Sequence, residues 1–262
     1  MANQRPAYLR IFTAARDSPP YNEDMKTAVL ATLLFSVSMA LGQQAVDPGS
    51  EPHYHLLLAN DQVRVYALTL HRDESALVHL QRTFMTIALQ DGEIILWDEG
   101  KSPIQHFQVH KGETSFRCWS SICLSPEQLA TGLSGGYRND RPQDYRNITV
   151  EFLNRKIGWN MPEGGLLGPP GSMFVGGAII ADVLLQPGDS FPPPSEAGAQ
   201  LVIPVSGVNL KGALGIRIRS SPGEVAWVPA DFAHGLTNAG REPARFIIVE
   251  FHPDAPLAPQ PQ

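Results

Sequence analysis

Few side chains in this chain combine a chemically useful type with a suggestive spacing, and they gather in two stretches. Late in the sequence, Glu196, Gln200 and His234 offer a carboxylate, an amide oxygen and an imidazole; early on, His79, Gln81 and Met85 offer an imidazole, an amide and a thioether. A carboxylate near an imidazole supports three kinds of behaviour. The two can join a metal-ligand set, satisfy each other as a hydrogen-bonded pair in an apolar interior, or act as a metal-free acid and base, the carboxylate raising the imidazole pKa towards the working range. Were the fold to bring them together, Glu196 and His234 would be the candidate catalytic pair, and with Gln200 the candidate metal set. Cys118 and Cys123 lie close enough in sequence for a disulfide across a small loop; two buried free thiols are the other reading, and the spacing is wrong for a zinc knuckle.

These residues need strands to position them, because the chain repeats one strand-rich unit. Val63–Leu70 and Gly177–Leu185 are β-branched, apolar openings that lead to Asp73-Glu74-Ser75 and Gly188-Asp189-Ser190, which are turn sequences. Gly112-Glu113 corresponds to Gly223-Glu224. The closing segments match best: Asn139 then Arg146-Asn147-Ile148-Thr149-Val150-Glu151-Phe152 mirrors Asn238 then Arg245-Phe246-Ile247-Ile248-Val249-Glu250-Phe251. From glycine to asparagine the first unit takes 27 residues and the second 15, so the first carries an insertion, placed at Arg117 to Ala130 with both cysteines in it.

In the second unit, Gly223, Pro229, Asp231, His234 and Asn238 stand at the spacing of the second signature motif of the cupins, which this region resembles, with Asp231 in place of the usual glycine. Gly188, Pro194, Glu196, Gln200 and Gly207 fit the spacing of the first cupin motif, and Asp73, His79, Gln81, Met85 and Gly92 fit it in the first unit. The resemblance implies two tandem jelly-roll barrels, a bicupin, over nearly the whole mature chain. It also implies a lumen site whose four metal ligands fall on Pro194, Glu196, Gln200 and His234 in one barrel and on His79, Gln81, Met85 and Gly135 in the other. Three of four are lost in the first barrel, where His79, Gln81 and Met85 would line a packed or ligand-shaped lumen. In the second, a single divalent metal on Glu196, Gln200 and His234 stands beside the metal-free readings. The ligand-binding candidates are thus His79, Gln81, Met85, Glu196, Gln200, His234 and Asn238.

Composition agrees with an all-β fold: glycine and proline number 23 each, charged residues are 18%, and short strands with tight turns suit that balance better than solvated helices. A net charge of −6 without any basic run excludes a phosphate-backbone footprint, so no nucleic-acid partner is expected. Lys26 precedes an uncharged apolar run from Ala28 to Leu41 that ends in small residues before Gln43. This reads as a signal peptide cleaved near Gln43, with Met25 as a natural start; at about 15 residues the run is short of the roughly 20 that span a bilayer. An exported protein with no stable membrane anchor after cleavage is expected.

The organisation is then an extension and signal at 1–42, a first barrel at 51–158, a connector at 159–172, a second barrel at 173–252 and a proline-rich tail at 253–262. The barrels pair with each other or across a homodimer. His53 and His55 precede the first strand and His106 and His110 read as an outer face, so neither pair is a site. Asn147-Ile148-Thr149 has a glycosylation pattern but falls inside a core strand. The functional reading is an exported bicupin-like protein that binds a small polar ligand in a lumen without the standard metal centre. The alternative is an oxygenase, decarboxylase or isomerase working from the second barrel.

Overall fold

The repeated stretches become strands because Val, Ile, Leu and aromatic residues run between Gly, Asp and Asn turns. The computed structural model describes residues 45–80, 83–98, 105–117, 133–153, 171–174, 177–192, 198–232 and 235–251. Among them are eighteen strands, three single 3-10 turns and no α-helix. The first half comprises β1 (Tyr54–Ala59), β2 (Val63–Leu70), β3 (Ser75–Leu80), β4 (Phe84–Ala88), β5 (Gly92–Asp98), β6 (Gln105–Val109), β7 (Thr114–Arg117), β8 (Leu133–Arg138) and β9 (Tyr145–Phe152). The second comprises β10 (Gly171–Phe174), β11 (Ala178–Leu185), β12 (Ser190–Phe191), β13 (Gln200–Pro204), β14 (Val208–Lys211), β15 (Arg217–Ser220), β16 (Ala226–Val228), β17 (Leu236–Asn238) and β18 (Ala244–Phe251).

Each half is a double-sheet antiparallel roll. The first has sheets ordered β1-β2-β9-β4-β7 and β3-β8-β5-β6; the second has β10-β11-β18-β13-β16 and β12-β17-β14-β15. Every strand of the second half takes the place of the strand nine earlier, so the sequence repeat is a repeat of topology. The second roll opens at Gly171, two residues inside the expected connector. The run between β7 and β8 is longer than that between β16 and β17; its residues 118–132, with Cys118 and Cys123 of the expected insertion, lie outside the described residues.

The quoted repeat residues turn out to be the same devices used twice. The Asn139 amide nitrogen donates to the Leu70 and Gln143 carbonyls (3.0 and 2.7 Å), and that of Asn238 to the Leu185 and Glu242 carbonyls (3.0 and 2.8 Å). Asp73 and Gly188 both take positive φ (64° and 86°) in the turns that these asparagines lock. Glu113 and Glu224 each accept the backbone N–H three residues upstream at 2.8 Å, closing the turns that contain Gly112 and Gly223.

The two five-stranded sheets pack face to face within one compact unit, Gln44–Gln262. Val63, Val65, Met85, Ile87, Ile148 and Val150 meet Ile180, Leu201, Ile203, Ile247 and Val249 in one continuous apolar core. That is why β2, β4, β11, β13, β9 and β18 are buried almost throughout: one face looks into its own lumen and the other onto the partner roll.

The contact is reciprocal at its ends. Arg245 of β18 lies over Gly112, where an added Cβ would sit 2.6 Å from the guanidinium, and donates to the Lys111 carbonyl at 2.9 Å. Arg146 of β9, its repeat partner, lies over Gly223, where a Cβ would sit 3.0 Å from Nη2. Glycine is required at both places by positive φ (84° and 98°) and by this close approach. One addition breaks the symmetry. Arg245 also grips the fully buried Asp182 carboxylate through two bonds, Nε to Oδ1 at 3.1 Å and Nη2 to Oδ2 at 2.8 Å.

Candidate functional site

Strand alternation assigns each lumen its side chains. In the first roll Tyr66, Leu68 and Leu70 of β2, Phe84 of β4 and Tyr145 of β9 point inward with Tyr54, Val78 and Ile94. Along β9 the inward positions continue as Asn147, Thr149 and Glu151, all buried. They form a hydrogen-bonded line: the Asn147 amide donates to the Tyr145 hydroxyl (3.1 Å), Thr149 donates to the Asn147 oxygen (3.1 Å), and Thr149 also hydrogen-bonds Tyr54. Tyr137 stacks on Tyr145 at 6.2 Å and Tyr54 meets Tyr66 edge-on at 6.1 Å. Burial, reinforced by neighbouring Tyr137, pushes the Tyr54 and Tyr145 phenols well up, and burial raises Tyr66 too, so all three stay neutral. At one end Arg64 clamps Glu151 with Nε at 2.8 Å and Nη2 at 3.2 Å. This interior is filled by large rings, with Tyr145, Asn147 and Thr149 bonded to one another.

The second lumen is built from different residues on the same frame. Strand pairing is conserved between the halves, with β2 against β9 and β11 against β18 in the same register. By it Ala181 stands for Tyr66, Ala244 for Tyr145, Phe246 for Asn147, Ile248 for Thr149 and Ile179 for Arg64, while Glu250 keeps the place of Glu151. The walls are apolar: Val183, Leu185, Val202, Leu210, Phe246 and Ile248. Polarity is concentrated at one point. Gln200 is fully buried on β13 beside Glu250, and its amide nitrogen donates to the Glu250 carboxylate at 2.9 Å. The Gln200 Oε1 is buried and has no hydrogen-bond partner among the described residues. Gly198 lets the chain leading into β13 pass against the end of β18, since a Cβ there would collide with the Phe251 carbonyl oxygen.

Of the expected site residues, the structure brings Gln200 into a lumen. Met85 goes elsewhere. Phe84 pairs with Glu151 as Gln200 pairs with Glu250, so the first half is one residue short before β4, and Phe84 occupies the position that motif spacing gave to Met85. One residue on, Met85 faces the opposite side and packs, fully buried, in the core between the rolls. Asn238 has its amide nitrogen and oxygen engaged by Leu185, Glu242 and Gly240 and serves as a turn clamp. His79 is described only in backbone, paired with Ser134 in β3 and β8. Gln81, Glu196 and His234 lie outside the described residues.

Glu250 was not among the expected site residues. Its signal was in the sequence: a glutamate repeated before the final phenylalanine of both closing strands, at an inward position. His106 and Gln108 lie exposed on the outer face, where both bond Glu93 (2.6 and 2.8 Å). Asn147 is wholly buried, out of reach of glycosylation in the folded chain.

A four-ligand metal centre does not fit these donors. In the first roll Met85 faces away from the lumen and Gly135 has no side chain; in the second, Pro194 offers no donor atom, so the set of four is incomplete in both. No cluster of three His, Cys, Asp or Glu suited to a metal occurs among the described residues.

No family model and no curated protein matches the chain. Solved structures do. A putative glyoxylate-induced protein from Pseudomonas aeruginosa aligns with a TM-score of 0.53 at 13% identity, over 76% of this chain and 78% of its own. A nickel-bound bacterial pirin, YhhW from Escherichia coli, gives 0.53 at 12% identity over 76% and 90%. A cupin 2 conserved barrel domain protein from Leptotrichia buccalis gives 0.50 at 12% identity over 82% and 94%. At such identities the likeness is one of fold alone, a cupin-type double-sheet roll, as the motif spacing implied.

Proposed function

We propose that this cupin-fold chain is an exported binding protein whose second lumen holds a small polar molecule without the standard cupin metal centre. The observation that carries the reading is the Gln200 oxygen, buried beside a carboxylate and lacking a partner among the described residues. A buried acceptor left unsatisfied costs about 1–3 kcal/mol. A bound molecule with an N–H or O–H group relieves that cost, and the neighbouring Glu250 carboxylate favours a hydroxylated or aminated molecule over an anion. The first lumen, closed by its own hydrogen bonds and rings, is assigned a structural role. Export rests on the apolar run from Ala28 to Leu41, and a mature chain starting near Gln43, read by intact mass, is the expected outcome.

Thermal unfolding of the natively expressed protein against polyols, amino acids and small amines tests the ligand. A binder present at 100 times its Kd stabilises by about 2.7 kcal/mol. The stabilisation is expected to survive chelation and to vanish in Gln200→Leu. Stabilisation or turnover that appears only with added Fe(II) or Mn(II), and disappears in His234→Ala, would instead install the metal-dependent enzyme.

A further inference from the structure

A groove of about 570 Å³ opens between β15 and β16 at the flank of the second roll, where Leu57 of the first roll borders it. Its floor is apolar. Trp227 and Val225 reach it from β16 and the segment before it, and Leu57 from β1 on the opposite sheet. Leu57 sits at a break in the β1–β2 register, a bulge that leaves its side chain 39% exposed. Along one wall β15 presents Arg217 and Arg219, two positions apart and so on one face, both exposed, while Ile218 between them is buried in the roll. Neither arginine has an ion-pair partner among the described residues. The acid in the groove, Glu224, is turned into its own loop, where the Ser221 N–H (2.8 Å) and the Ser220 hydroxyl (3.0 Å) hold its pKa down.

We infer that this groove is a second binding site, for a small carboxylate with an aromatic or extended apolar body. The volume lies within the range of small-molecule sites. Two guanidinium groups with open donors match a carboxylate's paired oxygens, and the indole and leucine floor matches a ring or alkyl chain. In a chain of net charge −6, two arginines without ion-pair partners among the described residues, beside exposed apolar surface, are a local inversion that an anionic amphiphile complements. Arg217, Arg219, Trp227 and Leu57, which carry this inference, are distinct from Gln200 and Glu250, so it stands or falls separately from the reading above.

The test is titration of the full mature chain with 2-naphthoate, followed by calorimetry and by the Trp227 indole N–H resonance, assigned with Trp227→Phe. Saturable binding that shifts this resonance is expected. Neutral 2-naphthylmethanol should bind at least about tenfold more weakly, and the double variant Arg217→Gln, Arg219→Gln should lose about tenfold in affinity for naphthoate, one charge-assisted contact being worth that factor. Both arginines are exposed, so the variant's melting temperature should match the parent. Absence of binding, equal affinity for the alcohol, or an unchanged affinity in the double variant overturns the inference.

Discussion

The two lumens share a backbone plan and a glutamate, and little else. Where the first places Arg64 opposite Glu151, the second places Ile179 opposite Glu250. Where the first packs Tyr66 and Tyr145, the second has Ala181 and Ala244. The first sets its carboxylate in an ion pair at the end of a ring-filled interior; the second sets its own beside an amide whose oxygen has no partner among the described residues. A barrel's fold therefore does not decide whether its interior is a core or a site. A handful of inward positions on three strands does.

The largest expected effect comes from imposing the second arrangement on the first. Arg64→Ile leaves the buried Glu151 carboxylate without its clamp and should cost about 3–5 kcal/mol in urea unfolding, most of it recovered when Glu151→Leu is added. If the single variant unfolds like the parent, the ion pair is not what closes the first lumen.

A smaller effect separates the two ends of the contact between the rolls. Alanine at either glycine meets the left-handed backbone penalty of about 1–2 kcal/mol. Gly112→Ala should cost visibly more than Gly223→Ala. The guanidinium it meets is pinned by Asp182 and the Lys111 carbonyl, whereas Arg146 is exposed and has no carboxylate partner among the described residues. Equal melting temperatures for the two variants would remove that asymmetry.

The smallest effect is a pH response confined to the first half. His71 bonds Asp144 at 2.9 Å across an outer turn, and this bond with the carboxylate charge raises its pKa above the ordinary value. The matching positions of the second half hold Gln186 and Pro243. Because the folded pKa is raised, the small stabilisation is complete below the unfolded pKa and fades as pH climbs through the folded one. Imidazole proton NMR should show His71 titrating high and falling towards the ordinary value in Asp144→Asn, with Glu74 keeping part of the rise.

Much of the fold was legible from one sequence because repetition is a strong constraint. Asn139 and Asn238, Gly112 and Gly223, and Arg146 and Arg245 each had to serve one purpose twice. The interior was harder to read. Motif spacing counts residues along the chain, and a single missing residue before β4 turned Met85 out of the lumen and brought Phe84 in. Inward and outward faces are exchanged by such a slip, so spacing alone transfers badly to a degenerate copy. Glu250 was overlooked for a related reason. The motif draws attention to its own positions, and this glutamate lies on the closing strand outside both of them.

The crossed arginines have a meaning of their own. A contact in which each half offers the same arginine to the other's same glycine has the form of a two-fold dimer interface, here carried on one chain. Joining the partners makes their association intramolecular, independent of how dilute the protein becomes. It also ends the rule that a change in one copy is a change in both. Asp182, with Ala67 as its counterpart, shows that freedom at the interface, and the unlike lumens show it inside: one copy can fill its interior with rings while the other lines its own mostly with aliphatic side chains.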